Sequence, residues 1–239
     1  QALTVRLRQM EEICAINPNI TWDFIWVTQR DGDRYAGISN SEAVIKSVVS
    51  RSAPDLRRAI SIINLPNEFM ARINSVKGGS VIAGMAYAVK AGADIVVYTD
   101  MSPVPNLAQI GLFIKEVMDN PGTIVVGSRR VRGSIGNRAW FRRAFSFLFN
   151  KWVWMHCESL RSINDTQGPI KAFSKEQLEE ILPMQVNVNG EIEYQTNFDY
   201  GLSFDVNLLA LAARNGYRIV EIPIVDTFEM SARPTEHRV

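Results

Sequence analysis

The segment that most restricts the fold is Asp94–Thr99, DIVVYT, where four consecutive apolar or aromatic residues lie between polar ends. A run this short and this apolar fits a strand buried on both faces, as inside a parallel sheet covered by helices. Its flanks agree. Gly78 to Ala91 reads as a helix entered through a Gly-Gly pair, Gln109 to Met118 as a second helix, and Thr123 to Gly127, TIVVG, as the next strand. Upstream, Leu3, Leu7, Met10 and Ile13/Cys14 recur at helical spacing until Pro18 and read as a surface helix. Asp23 to Thr28, DFIWVT, is a strand closed by the polar loop QRDGDR, Ser41 to Arg51 a helix, and Ala59 to Leu65 a strand. Strands alternating with helices imply crossover connections, hence an α/β fold with a mainly parallel sheet flanked by helices. In such sheets ligands bind beyond the carboxyl ends of the strands, so the loops after Thr28, Thr99 and Gly127 are expected to share one rim.

The 239 residues, 46% of them apolar, are enough for one large domain spanning 1–239. Twenty-six basic and 25 acidic side chains leave a net charge of +1, so no global field draws the chain to nucleic acid, and any anion site must be local. Cys14 and Cys157 lack metal-ligand spacing and read as free thiols in a reducing compartment. No apolar stretch approaches the roughly 20 residues that span a bilayer, and the order of a signal peptide is missing. The chain therefore reads as cytoplasmic. It opens on a helical pattern at Gln1, and the expectation is that a first strand of the sheet lies upstream of it.

Four segments carry residues of chemical interest. Lys77 to Ser102 runs from a Lys-Gly-Gly helix entry to a strand ending in Asp100-Met101-Ser102. Gly127 to Asn150 holds Gly-Ser-Arg and, later, Arg142-Arg143 with Ser146 on a helix. Asn164 to Phe173, NDTQGPIKAF, sets Asp165 and Gln167 close to Lys171, and Phe204 to Pro223 is a helix followed by a strand, with Gly216 as the helix C-cap. In order and spacing these segments resemble family 2 glycosyltransferases of the GT-A (nucleotide-diphospho-sugar transferase, Rossmann-like) fold, in the branch that uses polyprenyl-phosphate or dolichol-phosphate acceptors. The resemblance covers roughly Lys77 to Pro223.

It implies transfer of a sugar from a UDP- or GDP-linked donor to a polyprenyl phosphate, with inversion at the anomeric carbon. Asp100, Arg129, Arg143 and Lys171 would then be catalytic. Asp31, Asp33, Lys77, Asp100, Asp165 and Gln167 would bind the donor, and Arg129, Arg142, Arg143 and Ser146 the acceptor phosphate. Asp100 and Ser102 would hold Mg²⁺ or Mn²⁺, although Ser102 stands where the family has a second carboxylate. Arg233 or His237 of the tail would touch the donor. Each assignment has a plainer alternative: Asp100 caps the helix that follows it, the arginines are solvated charge, Asp165 and Lys171 form a surface pair, and Asp31-Gly32 is a turn. A soluble acceptor, or a domain that binds nucleotide or a partner protein without transferring sugar, are the alternatives for the chain as a whole.

Ala139 to Met155, AWFRRAFSFLFNKWVWM, packs three Trp and four Phe among three basic residues. Residues 138–156 are read as an amphipathic helix lying in the interface of a membrane, at its cytoplasmic face, with burial against the sheet as the alternative.

Overall fold

The computed structural model describes residues 2–29, 41–65, 67–73, 77–100, 102, 105–136, 140–201 and 203–226. The first half alternates as the apolar periodicity requires: α1 (Ala2–Ile16), β1 (Phe24–Gln29), α2 (Ser41–Val49), α3 (Pro54–Ala59), β2 (Ile60–Leu65), α4 (Asn67–Arg72), α5 (Lys77–Lys90), β3 (Ile95–Thr99), α6 (Ile110–Asp119) and β4 (Thr123–Ser128). The second half adds β5 (Ile135–Gly136), α7 (Trp140–His156), β6 (Ile170–Ser174), α8 (Lys175–Ile181), the hairpin of β7 (Met184–Val186) and β8 (Ile192–Tyr194), α9 (Phe204–Arg214), β9 (Arg218–Pro223) and β10 (Val225–Asp226). α8 opens with a capping box, Ser174 accepting from the Gln177 backbone while the Gln177 side chain accepts from the Ser174 N–H. α9 closes at Gly216, whose φ of 83° a Cβ would oppose.

The fold is α/β, with sheets that are mixed and only partly parallel. β1 and β2 pair in parallel, Phe24 opposite Ile60 through Gln29 opposite Leu65. A second sheet has the order β3-β6-β4-β9. β4 and β9 are parallel, but β6 runs antiparallel to β3 on one side and to β4 on the other, which corrects the expectation of a mainly parallel sheet. The reason is the route of the chain. After β4 it leaves through α7 on the rim side and re-enters at Ile170, beside Thr99 at the carboxyl end of β3, so β6 has to run down the sheet.

Alternate residues of the two sheets feed the same two cores. One cluster takes Val96 and Tyr98 with Leu65, flanked by Ile25 and Val27, and covers them with α5, α8 and α9. The other takes Trp26, Val125 and Ile170, flanked by Ile95 and Val97, and covers them with α1, α2 and α6. The sheets therefore lie in one layer between two layers of helices. Among the described residues β1 pairs only with β2 and β3 only with β6, leaving one edge of each without a strand partner. The expected upstream strand lies outside the described residues.

In the four-stranded sheet the three parallel strands end on the same side. The carboxyl ends of β3, β4 and β9 meet the start of β6 there, since Thr99 lies opposite Ile170 and Ser128 opposite Pro223. α5 packs on both β1 and β3, and its first residue, Lys77, reaches this rim. Its start is held by contact: a Cβ on Gly78 would lie 2.2 Å from the carbonyl oxygen of Tyr200, so only glycine lets the helix approach that segment. Among the described residues no helix is long and apolar enough to cross a membrane.

Candidate functional site

Asp100 follows the last residue of β3, and its backbone is fixed from α1. Arg6, 1% exposed, donates from Nη2 to the Asp100 carbonyl at 2.6 Å and from Nη1 to the Pro105 carbonyl at 2.8 Å. Burial draws the Arg6 guanidinium down to about 10, against the pull of the Asp100 carboxylate. The Asp100 side chain turns the other way and meets Lys77, Nζ to Oδ1 2.9 Å, with the two side chains 45% and 39% exposed. Asp100 is therefore not a helix cap. The turn at Leu107–Gln109 is capped by Asn106, whose side chain accepts from the Ala108 N–H at 2.9 Å. Arg6 escaped the sequence reading, yet its position was a signal: it lies three residues after Leu3 and four before Met10, on the apolar face of α1.

Arg129, the first residue after β4, is committed to Asp165. Its Nε lies 2.6 Å from Oδ2, its Nη2 2.7 Å from Oδ1, and its backbone N–H donates to Oδ2 at 3.1 Å. Burial works to lower the pKa of Arg129, and the Asp165 carboxylate more than offsets it, leaving the guanidinium above its ordinary value. Burial likewise works to raise Asp165, but the hydrogen bonds and charge of Arg129 hold the carboxyl below the usual carboxylate range. The same loop is tied to β9 through Glu221, which accepts from the Asp165 N–H at 2.9 Å and the Asn164 N–H at 2.8 Å. At its end Gly168 packs so closely on β4 that a Cβ would lie 2.1 Å from the Gly127 carbonyl oxygen. Asp165, expected to bind the donor, is thus an internal strap between loop and strand, with both carboxylate oxygens engaged by Arg129. Gln167 is exposed beside it and accepts from Arg129 Nη2 through its carbonyl at 2.9 Å.

Lys171 also departs from expectation. It is fully buried in β6, where its Nζ lies 2.6 Å from Asp205 Oδ1 and donates to the Gly168 carbonyl at 2.9 Å. The Tyr98 hydroxyl donates to the same carboxylate, and the ammonium lies 5.2 Å from the Tyr98 ring centroid. Burial pushes the Lys171 pKa down against the pull of Asp205, and burial together with Asp205 raises Tyr98 well above its ordinary value. An ammonium closed off in this way cannot reach a phosphate at the rim. The surface Asp165–Lys171 pair fails as well, because each residue is buried with a different partner.

A cavity of about 470 Å³ opens beside the Arg129–Asp165 strap, lined by Arg129, Arg130, Ser146, Phe147, Trp154 and Asp226 among others. Arg130 Nη2 donates to Ser146 Oγ at 2.7 Å, joining the loop after β4 to α7, and partial burial lowers the Arg130 pKa. The arginine doublet Arg129-Arg130 was the available signal for Arg130. α7 itself is anchored by Val153 and Asn150, both buried, and by the indole N–H of Trp154 on the Ile163 carbonyl at 2.8 Å. The rest of its apolar surface is open: Trp140 is 80% exposed, Phe145 75% and Met155 71%, with Phe141, Phe147, Leu148 and Trp152 at 50% or more. Among the described residues the large apolar side chains of α7 are therefore mostly exposed rather than packed on the sheet.

Arg142 and Arg143 lie in α7, but their side chains, like Asp31, Asp33, Arg233 and His237, lie outside the described residues. Ser102 is exposed on the rim. A divalent cation held there would have one carboxylate, already paired with an ammonium, and one neutral hydroxyl, a poor donor set unless phosphate oxygens of a ligand complete the shell. Among the described residues no group of three or more His, Cys, Asp or Glu is placed to hold a metal. No family model and no curated protein matches this chain.

Proposed function

We propose that this chain is a GT-A-type glycosyltransferase that moves a sugar, with inversion, from a UDP- or GDP-linked donor to a polyprenyl phosphate presented at a membrane surface. The observation that carries the reading is the composition of the cavity beside α7. It sets the Arg130 guanidinium and the Ser146 hydroxyl beside Phe147 and Trp154, with Arg129 held by Asp165 and Asp226 also in the lining, and α7 continues from it as an exposed aromatic surface. Fork-shaped donors suit phosphate oxygens, and an apolar, Trp-rich face with a basic residue suits the headgroup layer of a membrane. Both demands are met by one ligand class, a phosphate on an apolar chain. The ordered motifs from Lys77 to Pro223, their gathering at a single rim and the α/β architecture favour the same reading.

In this reaction the acceptor phosphate oxygen attacks the anomeric carbon while the bond to the donor diphosphate breaks on the opposite face. The nucleophile is already an anion at neutral pH, so no strong general base is required. In this reading the chain supplies a pocket in which Arg130 meets the acceptor and a rim that receives the donor. Arg130 is assigned to the acceptor phosphate, with Ser146 orienting it. Ser102, in place of a second carboxylate, favours a second reading in which the domain binds nucleotide without transferring sugar.

The test is transfer of labelled sugar from UDP- and GDP-sugars into the organic phase, using vesicles that carry polyprenyl phosphate. The expected result is incorporation from one donor class, a loss of at least about tenfold with Arg130→Gln, and a Trp140→Ser/Phe145→Ser variant that works on detergent-dispersed acceptor but fails on vesicles. Nucleotide binding without incorporation from any donor would leave the second reading in place of the first.

A further inference from the structure

The strand-end acid of this chain already has a cation beside it. Lys77 Nζ lies 2.9 Å from Asp100 Oδ1, and both partners are fixed from behind, Lys77 by the packing of Gly78 against Tyr200 and the Asp100 backbone by Arg6. The pair is nonetheless open to solvent, 45% and 39% exposed, so it is a surface onto which a ligand can be set. We infer that the Lys77 ammonium, in place of a divalent cation, neutralises the diphosphate of the nucleotide donor, with Asp100 acting as the residue that positions it. The inference rests on the nucleotide-sugar reading above and names the chemistry by which the donor is held.

Three physical points lead there. The Lys77 ammonium already lies at contact distance from Asp100 Oδ1, so a divalent ion approaching that oxygen meets a cation. Ser102 brings a neutral oxygen where a second carboxylate would be needed to outweigh that repulsion. The ammonium has three donors, of which Asp100 takes one, leaving donors for oxygens of two neighbouring phosphates.

The experiment uses the full chain. UDP and GDP are titrated calorimetrically in EDTA and again with MnCl₂, and Mn²⁺ alone is followed by the loss of its free-ion EPR signal. The expected result is one nucleotide binding equally in EDTA and in Mn²⁺, within about twofold, and Mn²⁺ remaining free in the absence of nucleotide. Lys77→Met lowers the affinity at least about tenfold, the loss of one charge-assisted phosphate contact. Asp100→Asn keeps EDTA-resistant binding, with a smaller loss, because the amide oxygen still accepts from Lys77. Both residues are half-open, and circular dichroism confirms that each variant is folded before it is titrated. Binding that vanishes in EDTA and with Asp100→Asn overturns the inference and leaves the donor reading standing. Binding unaffected by Lys77→Met also overturns it. A folded chain that binds neither nucleotide in either condition overturns the donor reading and this inference together.

Discussion

Replacing Lys171 by Met separates a structural lysine from a catalytic one. The ammonium is fully buried, 2.6 Å from an Asp205 carboxylate whose side chain is 8% exposed, and its removal leaves that carboxylate with the Tyr98 hydroxyl as its remaining side-chain donor. Breaking one side of a buried ion pair strands the other charge in a medium that solvates it poorly, which costs about 3–5 kcal/mol. For a chain of this size each kcal/mol moves the melting temperature by roughly 2–4 °C, so Lys171→Met melts roughly 6–20 °C below the parent. The double variant Lys171→Met/Asp205→Leu removes both charges, and a well-packed apolar pair in their place is roughly neutral, so most of that loss returns. Thermal unfolding followed by far-ultraviolet circular dichroism reads all three proteins. Nucleotide and acceptor binding, measured well below the lower melting temperature, stay at the parental level. A Lys171→Met protein that melts with the parent but no longer binds or transfers would refute the assignment and return Lys171 to the ligand.

The Arg129–Asp165 strap yields two further expectations. Asp165→Asn keeps the shape but surrenders the charge, and urea unfolding at pH 7 should show a loss of roughly 1.5–3 kcal/mol, the range for hydrogen bonds to a charged group. Because the folded state holds Asp165 below its unfolded value, near 3.9, the carboxylate contributes fully above that pH and loses its contribution as the pH falls through the folded value. The gap between parent and variant should therefore be constant between about pH 5 and pH 7 and shrink below about pH 4; a gap that persists unchanged at pH 3 contradicts the pairing.

How far the sequence revealed this arrangement varied from segment to segment, for physical reasons. The strands β1, β2, β3 and β4 were legible because each is a short β-branched run between polar ends, and the helices between them because their apolar residues recur at helical spacing. The direction of β6 was not legible. Apolar content marks Ile170 to Ser174 as buried but carries no sign of direction, which depends on where the chain re-enters the sheet after α7. The rim shared by Asp100, Arg129 and the loop before β6 followed from topology alone. Which charged groups on it are free did not, since pairing is decided by tertiary contact: Lys171 and Asp165 look like surface residues in the string NDTQGPIKAF and are among the most buried polar groups in the described molecule. A signal was present in the lysine between Ile170 and Ala172-Phe173, because a charge inside an apolar strand must have a partner. Lys77 and Asp100 lie 23 residues apart; their pairing depends on α5 packing alongside β3. The exposed aromatic face of α7 was legible as an amphipathic pattern, and its openness was settled only by seeing how few of its residues reach the core.

The central claim is that the rim accepts a nucleoside-diphosphate sugar, and calorimetric titration of the folded chain with UDP-sugars and GDP-sugars tests it most directly. The account predicts saturable, one-to-one binding of one of these two donor classes. Titrations in which neither class binds a chain shown to be folded would contradict it.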